Sequence, residues 1–385
     1  MLSGIRVVEL AIWVAGPGAG GILAGWGAEV IKVEGPDGDP MRAMFSSVGV
    51  DTVSAVPPYD LDNRGKRCVM IDLRADEGRS EFETLLKTAD VFLTNLRPDA
   101  LERLGLTHDA VMARHPQLIY ASVTGYGLEG DDRNRAGYDI GAFWARSSIA
   151  QTLVAPPQLP PGSASGSGDH TTAIAITSGI CAALFNRERT GEGRLVHTSL
   201  LRTGVYVNGW DLATRGYFGK ISRPRPRTQH RAPLINSYRA GDGKGFWLLG
   251  LEQDRHWPGL VKALRRDDLA SDPRFARASL RAENAEPLIA ILDEVFASQA
   301  FPEWVARFDE HDVWFAPINT LAEALEDPQI EAAGAWVTMP GQAATGEPYR
   351  LAATPVGFSG WTEIGQPVES LGQSNDEILS RDAKV

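Results

Sequence analysis

The chain has 385 residues, more than one ordinary hydrophobic core supports, so two domains, or one large domain with a smaller one inserted, is the starting expectation. Its 49 acidic against 38 basic side chains leave a formal net charge of −11, which excludes a general nucleic-acid binder, since such proteins displace counterions from phosphate with a basic surface. Two cysteines, Cys68 and Cys181, lie far apart in apolar surroundings and form neither a disulfide framework nor a CxxC metal site, which points to a reducing, cytoplasmic location.

Residues 10–28 carry no charge and approach the length of a membrane span. Their glycines, Pro17 and the lack of a basic leader argue instead for strand, loop and buried helix. The β-branched run 5–10 predicts a strand, 18–26 a helix and 29–34 a second strand, which together make a βαβ unit. Gly16, Gly18 and Gly21 match G-x-G-x-x-G, with Glu34 ending the next strand where a ribose-binding acid would sit. Residues 11–15 separate strand from first glycine, whereas the dinucleotide fingerprint turns directly into its helix, so close helix–sheet packing is the favoured reading.

Residues 35–60 read mostly as loop. The basic patch 63–67 either meets a phosphate through Lys66 and Arg67 or is a solvated surface, and it leads into a strand at 68–73. An amphipathic helix follows at 77–89 and a strand at 90–95. The strand's end presents Arg97 and Arg103, in the position where open α/β sheets bind ligands. A further strand at 118–123 completes an alternation that predicts a parallel sheet covered on both faces.

From 161 to 168 the chain is rich in glycine and serine, and Asp169 then opens a helix whose stretch 173–184 is free of charge and reads as buried. Gly191 and Gly193 end it, and 194–200 resumes as a strand. Taken locally, Asp169 is an N-cap. His170 beside it reads as a local polar contact rather than a base. Beyond residue 215 come a basic connector at 223–231, a strand at 244–250 and helices at 256–264, 284–297 and 302–308, which predict a smaller α/β domain. Residues 336–360 return to strand-like segments.

Several motifs keep a common order along the whole chain: Ala15-Gly16-Pro17, Asn63-Arg64-Gly65-Lys66-Arg67, Asn95-Leu96-Arg97-Pro98, Gly137-Tyr138-Asp139, Gly168-Asp169 and Thr190-Gly191-Glu192-Gly193. With these the chain resembles the family III CoA-transferases, the family of formyl-CoA transferase, carnitine CoA-transferase and α-methylacyl-CoA racemase. The resemblance implies a Rossmann-like large domain with a parallel sheet, built from residues 1–215 and 331–385, a small α/β domain with its linker at 216–330, and an interlocked homodimer. It implies Asp169 as the catalytic carboxylate. It also implies contacts to CoA from Val14, Ala15, Gly16, Lys66, Arg67, Asn95, Leu96, Arg103 and Tyr138. CoA and its acyl thioesters enter as substrates, no permanent cofactor or metal is required, and neither nucleic acid nor membrane is a partner.

The residue type suits that chemistry: a carboxylate attacks a thioester to give a mixed anhydride, and the released thiolate attacks the anhydride in turn to give an aspartyl-CoA thioester. The racemase branch instead needs two acid/base groups, His and Asp. Racemases carry Gly-His-Asp where this chain has Gly137-Tyr138-Asp139, and a phenol is a poor substitute for that imidazole. A non-catalytic CoA-binding protein is a third, weaker alternative. The glycine-rich active-site loop of formyl-CoA transferase has no counterpart in 234–252, and Gly35 stands where that enzyme has an arginine after the strand-end glutamate. Arg146, Arg202 and the connector are candidates for a second substrate carboxylate, with ordinary surface roles the alternative. Trp144, Trp210 and Trp247 are candidates for an apolar pocket or for core.

Overall fold

The computed structural model describes residues 1–47, 55–154, 157–220 and 224–382. Arg223, the first residue of the expected connector, and residues 48–54 of the expected loop lie outside these. The chain divides into two compact units, one made of Met1–Gln151, Pro161–Ile221 and Gln329–Val385, the other of Thr152–Pro160 and Ser222–Pro328.

The first unit is built on six strands: β1 (Arg6–Leu10), β2 (Glu29–Glu34), β3 (Arg67–Met70), β4 (Val91–Thr94), β5 (Ile119–Thr124) and β6 (Leu195–Ser199). They pair in the order β3-β2-β1-β4-β5-β6, every pair parallel. Nearly every residue of β1, β2, β4 and β5 is buried, because both faces are covered and β-branched side chains alternate between them. Val7, Val30, Val91 and Ile119 face α1 (Ala15–Gly25) and its neighbours. Val8, Ile31, Phe92 and Tyr120 face the opposite layer with Phe82, Leu85 and Leu86.

The helices between these strands are α2 (Met44–Ser47), α3 (Pro57–Asn63), α4 (Asp76–Lys87), α5 (Pro98–Leu104) and α6 (His108–Arg114). After β5 come a π-helical turn at Ile140–Ala145, α7 (Ile149–Leu153), and α8 (Ser167–Thr190), whose Ala173, Ile176, Ile180 and Leu184 join the α1 layer. Two short helices, α9 (Leu200–Val207) and α10 (Gly209–Phe218), follow β6. The chain's last segment adds a hairpin, β10 (Trp336–Gln342) with β11 (Pro348–Ala352), and a final helix, Asn375–Asp382. Ile378 of that helix is fully buried beside the β3 layer, and Ser374 N–H donates to Cys68 O.

The second unit is a three-stranded antiparallel sheet, β7 (Ile235–Arg239), β8 (Gly245–Leu249) and β9 (Phe315–Pro317), packed on helices Gln253–Leu264, Ala285–Phe296 and Phe301–Glu310. Its core is aromatic, with Phe246, Phe275, Phe296, Trp304 and Phe308 almost wholly buried.

Three expectations are corrected. The helix expected at 18–26 begins at Ala15, because Pro17 and four glycines occupy its first two turns without breaking it. The expected loop 35–60 contains α2 and the start of α3, whose Pro57 and Pro58 sit at the first helical positions, where a missing N–H costs nothing. The patch at 63–67 is not a solvated surface: Arg64 and Lys66 are buried.

Candidate active site

Parallel register places Glu9 of β1 opposite Lys32 of β2, and both side chains are sealed from water. Such charges persist inside a protein only when fully paired. Lys32 Nζ meets Glu9 Oε1 at 3.2 Å and Asp39 Oδ2 at 2.9 Å, and donates to Ala11 O. Lys66 Nζ satisfies Glu9 Oε2 at 2.7 Å and also donates to Pro17 O and Asn63 Oδ1. Any side chain at Gly20 would overlap Glu9 Oε2, so the network requires the small residue there. Burial nonetheless pulls the Lys66 ammonium down to about 8.

The network's work is to fix the turn between β1 and α1. Asp39 Oδ1 accepts from Trp13 N–H, and Lys32 holds Ala11 O. Asn95, at the end of β4, grips Ile12 twice: Ile12 N–H donates to Asn95 Oδ1 at 3.0 Å, and Asn95 Nδ2 donates to Ile12 O at 2.6 Å. Trp13 is thereby kept at φ 67°, a conformation side-chain-bearing residues rarely adopt. Strands β1 and β4 are where strand order reverses, so Asn95 ties the two lips of the crevice in which doubly wound sheets bind ligands.

Against this turn lies the start of α8. Its N-cap is Gly166 in the left-handed conformation, φ 72°, not Asp169, which occupies the third helical position and caps nothing. The N-cap expectation fails for that reason. A β-carbon at Gly168 would lie 2.6 Å from Phe143 Cγ, so the π-helical turn packs directly on the residue before Asp169. That turn begins immediately after Asp139, whose Oδ2 is buried without a hydrogen-bond partner among the described residues. The half-buried Asp169 carboxyl is pushed up to about 7, by burial first and by the Asp139 carboxylate second, with Asp62 adding to the rise and His170 opposing it. His170 Nε2 meets Asp62 Oδ1 at 3.0 Å, a polar contact but not a local one, since Asp62 lies 108 residues away, and that hydrogen bond holds the imidazolium form up.

The structure gathers Val14, Ala15, Gly16, Asn95, Tyr138 and Asp169 around this turn. The Tyr138 ring stands edge-on to Trp13 at 5.8 Å, and a β-carbon at Gly166 would lie 3.8 Å from Val14 Cγ1. Leu96 lines a separate cavity of about 240 Å3 above β1, β2 and β3, together with Ile12, Glu34, Gly35 and Leu73. Arg103 is exposed on α5 and pairs with Asp99. Lys66 lies inside the fold, its three protons committed. Arg67 starts β3, at the other edge of the sheet, and clasps Glu369 and Glu377. Of the arginines weighed for a second carboxylate, Arg146 pairs with Asp132 and Arg227 with Asp293. Trp210 and Trp247 are not core, being 86% and 43% exposed. Sequence reasoning missed Glu9, Lys32, Asp39 and Asp62; the fixed opposition of Glu9 and Lys32 on adjacent strands was the one available signal.

A doubly wound α/β sheet with a half-buried carboxylate near its reversal point is the architecture of an enzyme that takes its ligand in that crevice. The family model described as CoA-transferase family III matches residues 2–374, and the chain belongs to that family and is a CoA-transferase by class. It is 33% identical over 337 residues to the (R)-2-hydroxy-4-methylpentanoate CoA-transferase of Clostridioides difficile, covering 86% of this chain and 83% of that protein. It is 32% identical over 384 residues to the cinnamoyl-CoA:phenyllactate CoA-transferase of Clostridium sporogenes, covering 98% and 92%. The crystal structure of a CAIB/BAIF family protein from Brucella suis superimposes with a TM-score of 0.84 at 30% identity over 99% of both chains. Among the described residues no helix is long and apolar enough to cross a membrane, and no cluster of His, Cys, Asp or Glu is suited to a metal ion.

Proposed function

We propose that the protein moves coenzyme A from an acyl-CoA thioester to a free carboxylic acid, with Asp169 as the nucleophile. The observation that carries this is the Asp169 carboxyl itself: half-buried at the start of α8, and pushed up to about 7 by burial first and by the Asp139 carboxylate second, whose own Oδ2 is buried without a partner among the described residues. A carboxylate so poorly solvated is a stronger nucleophile than one in water once it is ionised. One Asp169 oxygen bonds to the thioester carbon and the C–S bond breaks, leaving a mixed anhydride and the CoA thiolate. The thiolate then attacks the aspartyl carbonyl of the anhydride, releasing the first acid as its carboxylate and leaving aspartyl-CoA thioester. An incoming carboxylate runs the two steps in reverse. In the first turn of α8 the Ser167 N–H donates to Ala164 O and the His170 N–H to Gly166 O, while the N–H groups of Gly168 and Asp169 precede the first intrahelical bond and are donors suited to the oxyanions formed on the way.

In this reading Val14, Ala15, Gly16 and Tyr138 flank the thioester end of CoA, while Asn95, Leu96 and Arg103 contact the remainder, whose nucleotide end occupies the cavity beside Leu96. Lys66 and Arg67 act from within the fold, by holding Glu9 and the C-terminal segment. The large unit is the CoA-binding domain and the protein works as a cytoplasmic, interlocked homodimer. The apolar side chains that α9 and α10 leave in solvent, Tyr206, Trp210, Tyr217 and Phe218, support a face covered by a second copy.

The test is incubation with acetyl-CoA or succinyl-CoA and a panel of carboxylic acids, following new thioesters by mass spectrometry. New acyl-CoA that requires Asp169, together with a CoA adduct on the peptide containing it, is the expected result. Full exchange by an Asp169→Ala variant, or deuterium uptake at Cα of a 2-methylacyl-CoA with no exchange, overturns the reading.

A further inference from the structure

Next to the turn that carries Asp169, the first unit holds an open cleft of about 260 Å3. Much of its wall is apolar or without a side chain, from Gly18 and Ile22 of α1, Leu61 of α3, Ile174 of α8, and Ala353 and Pro355 beyond β11, and Asp62, Arg64 and His170 complete it. Ile174 is 44% exposed on a helix whose Ala173, Ile176 and Ile180 are buried.

The cleft reaches the first turn of α8, although Asp169 itself does not line it. His170 lines it one residue after Asp169, and Asp62, whose charge Asp169 feels, lines it too. A β-carbon at Gly18 would lie 3.2 Å from Ala173 Cβ and 3.4 Å from His170 Cδ2, so α1 and the first turn of α8 close the cleft's inner end without filling it.

The charges at the rim decide what the cleft does not take. Arg64 is neutralised by Glu363 at 2.8 Å and donates again to Ala352 O, and the His170 imidazole is pinned by Asp62. No uncommitted cation faces the cleft among the described residues, while Asp62 adds a negative charge. A second substrate carboxylate has nothing to pair with there. The volume is informative as well, since a dry apolar cavity of about 150 Å3 accommodates benzene.

We propose that this cleft is the acyl pocket of the enzyme, and that the preferred acid is a monocarboxylic acid with a branched or aromatic apolar side chain, not a dicarboxylic acid. The proposal rests on the reading of Asp169 as nucleophile. The side chain of the acyl group lies along Ile22, Leu61 and Ile174, and its carbonyl carbon projects past His170 toward Asp169.

The experiment measures kcat/KM with acetyl-CoA as donor for propionate, butyrate, 4-methylpentanoate, 3-phenylpropanoate, succinate and glutarate, in the wild type, Ile174→Trp and Ile174→Ala. Each buried methylene contributes about 0.8 kcal/mol, or about fourfold, so 4-methylpentanoate is expected to exceed propionate by more than tenfold in the wild type. Trp at this exposed position occupies the cleft without disturbing the core, and lowers that ratio at least tenfold. Ala raises 3-phenylpropanoate relative to 4-methylpentanoate. Preference for succinate or glutarate, or a ratio that neither variant moves, overturns the pocket while leaving the transferase intact. Loss of exchange with every acid, or exchange that survives Asp169→Ala, overturns the reading of Asp169 and the pocket with it.

Discussion

Asp169→Asn is expected to make the protein more stable in a way that depends on pH. Burial and the Asp139 carboxylate hold the Asp169 carboxyl at about 7, against an ordinary aspartate value of 3.8. Because the folded value lies above the unfolded one, the folded chain binds the proton more tightly. Its contribution to stability is whole below the unfolded value and is lost as the pH rises through about 7. The gap between the two values, at about 1.36 kcal/mol per pH unit, sets a ceiling of about 4 kcal/mol, and screening of a half-exposed group reduces this to about 2 kcal/mol. Asparagine has the same shape and no charge to bury. Urea unfolding of both proteins from about pH 4.5 to 8 checks this. The advantage of the variant grows by about 2 kcal/mol up to about pH 7 and is flat above. Any packing effect of the amide is the same at every pH, so a difference constant across the range, or one that grows toward acid, refutes the electrostatic argument.

For activity the sign is opposite: in the proposed mechanism only ionised Asp169 attacks, so kcat/KM is expected to rise with pH through about 7. Asp139→Asn, which removes one like charge while leaving Asp62 and His170 in place, moves that midpoint downward in the pH–rate profile. Lys66→Met strips Glu9 of one of its two cations and is expected to cost about 3–5 kcal/mol, read as a lowered urea midpoint; an unchanged midpoint shows that Lys32 alone suffices. Asn95→Ala frees both backbone groups of Ile12. It is expected to raise KM for acyl-CoA about tenfold with a smaller change in kcat, since positioning of the bound ester is what it removes; steady-state kinetics with a fixed acceptor acid decides it.

The parallel sheet is legible in the sequence because each of its inner strands is a short run of β-branched residues buried on both faces, and the spacing between runs leaves room only for helices. Helix α3 is not, because a Pro-Pro pair reads as a breaker unless one knows that it opens the helix. The start of α1 is hidden similarly, its glycines serving close approach to Asn95, Asp62 and Glu9 rather than a turn. Arg64 and Lys66 look like surface because nothing local marks their partners: Glu363 lies 299 residues away and Glu9 57. Asp169 stands out as a carboxylate at a helix start, yet what distinguishes it from an N-cap is the left-handed Gly166 and the opposing Asp139, both properties of the folded chain. Asp62, 108 residues from His170, is similarly invisible until α3 packs on α1.

The pinned turn at Ala11–Trp13 has a consequence for how binding energy is used. Four of its backbone groups are already engaged by Lys32, Asp39 and Asn95. A ligand that settles against it therefore meets a wall that has done its ordering during folding, and almost nothing is lost to freezing the loop. In the proposed mode of binding, the attraction between the long coenzyme and this wall is left available for the reacting end, where a small carboxylate must be driven into a bond with a crowded carbonyl carbon. A loosened turn would still hold the coenzyme, but would spend on its own rigidity what the intact turn delivers to the bond being made.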